Sequence, residues 1–166
     1  NSLGGNLFGE LSYWLAITMI LGPIIYLGTD QIVREKISVE KKQYDEIIFS
    51  NLIFKIISSI IVIVIFSFYI IHSKGIIFFS ENIFIVILFT TLIFRSFMIF
   101  EFFFDIIGKI QLNIFLRSFS FITSIMLLIS FYYIELNLFY VSIAYVSEFL
   151  ILGILNIFIY NNFYQK

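Results

Sequence analysis

The chain has 166 residues, of which 61% are hydrophobic and only 13% charged, and its mean hydropathy is +1.05. That excludes an ordinary water-soluble domain, in which about a quarter of the residues are charged, and a net charge of −1 argues against nucleic-acid binding, which needs a basic face. With no cysteine there is neither a disulfide framework nor a thiolate metal site.

The opening NSLGGN lacks Met, a basic region and a small-residue cleavage site, so it reads as the start of a fragment rather than a signal peptide. Five apolar runs follow, predicted as membrane spans near 11–31, 50–72, 82–104, 109–133 and 138–161. A helix needs roughly 20 mostly apolar residues, at about 1.5 Å each, to cross a bilayer. Ile and Phe also favour strands, but barrel strands are about 10 residues of alternating polarity, and these runs are continuous and longer. The predicted fold class is all-α, a polytopic transmembrane bundle. The 23 Phe rise together with Ile, Tyr, Asn and Lys, which reads as compositional bias filling lipid-facing and core positions rather than as a binding box.

In the first run Gly22 is followed by Pro23, which removes a backbone donor inside the span. A hinge and a static kink both fit. The hydrophilic loop TDQIVREKISVEKKQYDE carries Arg34, Lys36, Lys41 and Lys42, and the positive-inside rule makes it cytoplasmic, Gln43 included. Alternation then places Lys74, Glu135 and Asn137 outside and Lys109 and Lys166 inside. Asp30 and Arg34 are spaced as an interfacial pair.

The second run carries Asn51, Lys55 and Ser58 on one face, with Lys55 expected to snorkel to the cytoplasmic interface. His72 reads as a loop residue, and the third run presents Thr91 and Arg95. Glu101, Asp105 and Lys109 recur every fourth residue. Two carboxylates on one face suggest acid–base chemistry, but near the interface a solvated face with an Asp105–Lys109 pair is the simpler expectation. In the fourth run Asn113, Arg117, Ser120 and Ser124 share one helix face, and the last run carries Tyr145, Glu148 and Asn156.

An ionisable group at a helix centre costs roughly 2.5–3.5 kcal/mol and therefore tends to face a bundle interior or aqueous cavity. On this reading Arg95 and Arg117 present guanidinium forks to an anionic substrate. Glu148 serves as counter-charge or ion-coupling site, Asn113, Ser120, Ser124 and Thr91 line the cavity, and Gly22 and Pro23 form the hinge. The competing reading is a buried Arg95–Glu148 pair that only fixes packing. No phosphate-cradling glycine loop, metalloprotease motif or activated serine is present, so the sequence points to no enzyme, cofactor or metal.

The stretch LGGNLFGELSYWLAITMILGPIIYLGTDQIVREKIS resembles the N-terminal part of bacterial polysaccharide flippases. These are the Wzx-type O-antigen and repeat-unit translocases of the MOP superfamily. The matching residues are a turn at Leu3, Gly4, Phe8 and Gly9, and a helix-end element at Leu27, Gly28, Asp30, Arg34 and Glu35. EFFFDIIGKIQLNIFLRS, with Phe103, Lys109 and Arg117, and IAYVSEFLILGILNIFIYNN, with Glu148, look like the segments at its fifth and sixth helices.

The resemblance implies family helices two to six of a two-lobed alternating-access transporter, with the first helix and the C-terminal lobe absent. It also implies translocation of undecaprenyl-diphosphate-linked oligosaccharide across the bacterial inner membrane, a possible coupling cation, and contacts with polysaccharide polymerase machinery. The alternatives are a cation-coupled multidrug exporter of the same superfamily and an integral-membrane polymerase or acyltransferase.

Overall fold

The computed structural model of the chain describes residues 5–26, 28–39, 44–134 and 137–164. In chain order the elements are α1 (Gly5–Tyr26), α2 (Thr29–Val39), α3 (Tyr44–Lys74), α4 (Ile76–Glu81), α5 (Ile83–Arg95), a 3-10 turn (Ser96–Met98), α6 (Ile99–Ile106), α7 (Ile110–Ile134) and α8 (Leu138–Tyr164). The described residues form an all-helical bundle. Five segments are long and apolar enough to cross a membrane: Gly5–Tyr26, Tyr44–Lys74, Ile83–Ile106, Ile110–Ile134 and Leu138–Asn162. The chain is a multi-pass membrane protein.

Two expectations change at the N-terminal end. Phe8 and Gly9 lie inside α1 rather than in a turn, and α1 runs through Pro23 to end at Tyr26. Leu3, Gly4 and Leu27 lie outside the described residues, as do Lys41, Lys42, Gln43, Glu135 and Lys166. The hydrophilic loop is largely helical. Val33 and Ile37 of α2 are four apart and both buried, so one apolar stripe holds a short amphipathic helix against the bundle.

Glycine ends the elements where the chain must turn. Gly28 (φ 71°) joins α1 to α2, and Gly108 (φ 77°) ends α6, a conformation that costs a residue with a Cβ. At Gly108 the Lys109 amide donates to the Phe104 carbonyl at 2.7 Å and the Gly108 amide to that of Asp105 at 3.1 Å. This Schellman closure satisfies the last carbonyls and reverses the chain into α7.

Two apolar clusters occupy opposite ends of the bundle. One gathers Val33, Ile37, Ile47, Ile48, Leu52, Ile99, Phe100, Phe103, Phe104 and Tyr160. The other gathers Leu11, Trp14, Ile70, Phe84, Ile85, Leu88, Phe89 and Leu138. The layer between them buries polar groups, including Thr18, Lys55, Ser59, Thr91, Ser96, Ser120, Ser124 and Ser142.

Helix α7 shows the inversion most directly. Its buried residues are Asn113, Leu116, Ser120 and Ser124, whereas Ile114, Phe115, Phe119, Ile122, Met126, Ile129 and Tyr133 are exposed. Such a helix has its polar side inward, as expected where the surroundings are hydrocarbon. Small residues admit close approach in the same way: a Cβ on Gly153 of α8 would lie 3.2 Å from Cβ of Phe97 in the 3-10 turn.

Candidate functional site

Arg95 is the last residue of α5, immediately before the 3-10 turn that interrupts the third span. Its Nη2 donates to the Tyr145 hydroxyl at 3.0 Å, and its guanidinium lies 4.5 Å from the centroid of the Phe149 ring. Both partners come from α8, one helical turn apart. Nε is buried without an acceptor, and no carboxylate of the described residues forms an ion pair with Arg95. Across from it, Gly22 of α1 is buried, and a Cβ there would stand 4.0 Å from Nη1 of Arg95 and 3.9 Å from Cε2 of Tyr26.

Arg117 is placed differently. Its Nε and Nη2 reach Oε2 of Glu101 at 3.1 and 2.7 Å. The glutamate side chain is 7% exposed and that of Arg117 54%, so the arginine extends outward from a buried carboxylate. A fork gripping one carboxylate in this manner is the strong form of the interaction. Asn113, one turn earlier on α7, donates to the Glu101 carbonyl at 2.9 Å and to Asp105 at 2.6 Å. Asp105 in turn faces Arg34 of α2 at 3.8 Å.

The network continues to α3, where Lys55 is only 2% exposed and is paired with Asp30 of α2. Its ammonium lies 4.8 Å from the Tyr26 ring centroid and 5.5 Å from that of Phe102, and Arg34 sits 4.1 Å from the same Phe102 ring. Aromatic faces attract cations in this range. A chain of alternating charges thus straps α2 to α3, α6 and α7.

These contacts correct several pairings. Asp105 meets Asn113 and Arg34 instead of Lys109, Asp30 meets Lys55 instead of Arg34, and Lys55 is buried where snorkelling was expected. Glu101 is buried rather than part of a solvated face, and it takes Nε and Nη2 of Arg117.

A cleft of about 300 Å³ opens between the third span, α7 and α8, lined by Met98, Arg117, Ser118, Phe121, Glu148, Phe149 and Leu152. Glu148 forms no ion pair among the described residues and lies in the field of both Arg95 and Arg117. The structure therefore brings Arg117 and Glu148 to one cleft and sets Arg95 behind it, on Phe149. The expected cavity-lining residues stand elsewhere. Thr91 donates to the Leu88 carbonyl at 2.6 Å, Ser120 to that of Leu116 at 2.9 Å and Ser124 across to that of Ala144 at 2.6 Å, so they serve helix packing together with Asn113. Gly22 and Pro23 fall within continuous α1, with Gly22 facing Arg95.

Sequence reasoning did not single out Tyr26, and it read Glu101 as solvated. Tyr26 has a polar tip at the end of a span, a signal shared by any interfacial tyrosine. Glu101 falls four residues before Asp105, a spacing that suits a solvated helix face equally well. No metal-binding group of His, Asp and Glu occurs among the described residues.

Comparison with protein-family models, with curated proteins and with solved structures finds no match.

Proposed function

We propose that this chain is part of a membrane translocase for an anionic amphiphile, of the class of undecaprenyl-diphosphate-linked oligosaccharides. The observation that supports this reading is Arg95, a guanidinium inside a span whose Nε is buried and which has neither a partner for that atom nor a paired carboxylate among the described residues. A charged group inside a span whose buried nitrogen lacks an acceptor is unfavourable. It is retained most economically where an oxyanion completes it, and a planar fork suits phosphoryl oxygens. Arg117 spends Nε and Nη2 on Glu101, so Arg95 provides the first contact and the remaining Nη1 donors of Arg117, which lines the cleft, a second. Glu148, unpaired in the same cleft, is the counter-charge of the empty site.

One observation favours a second reading. Glu148 is a carboxylate on the cleft wall without an ion-pair partner among the described residues, which suits a cationic substrate in a cation-coupled exporter. Charge substitutions in the full-length protein separate the two. With the anionic substrate, Arg95→Gln nearly abolishes export of surface polysaccharide at normal membrane abundance and Arg95→Lys lowers it partly. Full export by an abundant Arg95→Gln variant would sink the proposal, and loss of cation efflux in Glu148→Gln alone would favour the exporter.

A further inference from the structure

We infer that Tyr26, with the Cβ-free surface of Gly22, completes a phosphoryl-oxyanion pocket around Arg95, and that Tyr26 is a ligand-positioning residue of that pocket. The inference rests on the proposed anion recognition by Arg95 and adds residues of α1 to it.

Two buried polar groups at this junction lack partners among the described residues: the hydroxyl of Tyr26 and Nε of Arg95. The ring edge of Tyr26 and the guanidinium of Arg95 flank a single point above Gly22, at 3.9 and 4.0 Å from where its Cβ would stand. Arginine has donors only, and a tyrosine hydroxyl donates as well. A partner for Nε of Arg95 must therefore bring an acceptor, and the Tyr26 hydroxyl can donate to the same group. Lys55 stands 4.8 Å from the Tyr26 ring centroid, so the surroundings carry positive charge beyond Arg95, although Asp30 neutralises part of it. A ligand oxygen that is acceptor-only and anionic meets all these conditions.

Gly22 has a matching role. In a helix interior glycine is disfavoured relative to alanine, and a methyl here meets neighbours only at ordinary contact distance. The fold does not need glycine at this position, whereas a ligand atom lodged between Tyr26 and Arg95 needs the space.

The test uses the full-length protein in lipid nanodiscs, with calorimetric titration of inorganic pyrophosphate and, separately, of a prenyl diphosphate. Tyr26→Phe is expected to weaken both about tenfold, the loss of one charge-assisted hydrogen bond, without lowering thermal stability in the absence of ligand. Gly22→Ala is expected to fold normally and to weaken both ligands similarly. A prenyl diphosphate bound more tightly than pyrophosphate identifies a lipid headgroup as the source of the oxyanion, and equal affinities identify a free anion; both support the pocket. Binding within twofold of wild type in Tyr26→Phe overturns it, as does a loss of stability in that variant without ligand, which would assign the hydroxyl to the fold. Arg95→Gln keeps the two proposals apart. If it abolishes binding while Tyr26→Phe does not, the pocket fails and anion recognition stands. If it too binds as wild type, both fall.

Discussion

Arg117 of α7 holds Glu101 of α6 through two nitrogens, Nε at 3.1 Å and Nη2 at 2.7 Å from the same carboxylate oxygen. The pair closes the short connection between the two helices and keeps the guanidinium occupied at the mouth of the cleft. Glu101→Ala should therefore destabilise by about 2 kcal/mol, and a cycle with Arg117→Ala should show a coupling of roughly 1–3 kcal/mol. Denaturant unfolding in mixed micelles measures both. Strictly additive single and double substitutions would mean that the pair contributes nothing to the fold.

The Lys55–Asp30 pair should be less forgiving, because Lys55 is 2% exposed and its ammonium has few alternatives to that carboxylate. Asp30→Asn is expected to cost about 3–5 kcal/mol by leaving a buried charge unpaired, and Asp30→Asn combined with Lys55→Met should recover most of the loss. Membrane abundance and melting temperature read the effect. A double variant no better than Asp30→Asn alone would refute the pairing.

Asn156 of α8 is fully buried, with neither Oδ1 nor Nδ2 bonded among the described residues. Burying an amide without partners is costly, so Asn156→Leu, close in volume, should stabilise the protein by about 1 kcal/mol. A lower melting temperature for that variant would show that the amide supports the fold through a partner of its own.

The positive-inside rule predicts that the basic residues of α2 and of the segment after it face the cytoplasm. Because the chain has no cysteine, Lys36→Cys and Asn137→Cys each report one side cleanly. In sealed membranes of known orientation, an impermeant thiol reagent applied from the non-cytoplasmic side should modify the cysteine at 137 and spare that at 36 until lysis. The opposite pattern would invert the topology.

The five spans and the all-helical class were legible in the sequence because lipid imposes a simple demand: roughly 20 apolar residues in a row, with every backbone group satisfied within the helix. The inward polar stripe of α7 was legible for a related reason, since Asn113, Ser120 and Ser124 recur at helical spacing and a polar face cannot turn to hydrocarbon. The partners of the charges were not legible. Asp105 and Lys109 are four apart, but Gly108 at φ 77° ends the helix between them, so the spacing rule for a continuous helix no longer applies and Asp105 turns to Asn113 and Arg34. Lys55 looked poised to reach water. Instead α2 folds back over that end of the bundle and brings Asp30 to its ammonium. Local spacing determines which side chains share a helix face; the packing of α2 against α3 and α6, and of α6 against α7, decides which opposite charge each one meets. Among the described residues, that packing left Arg95 without a paired carboxylate and Arg117 with one.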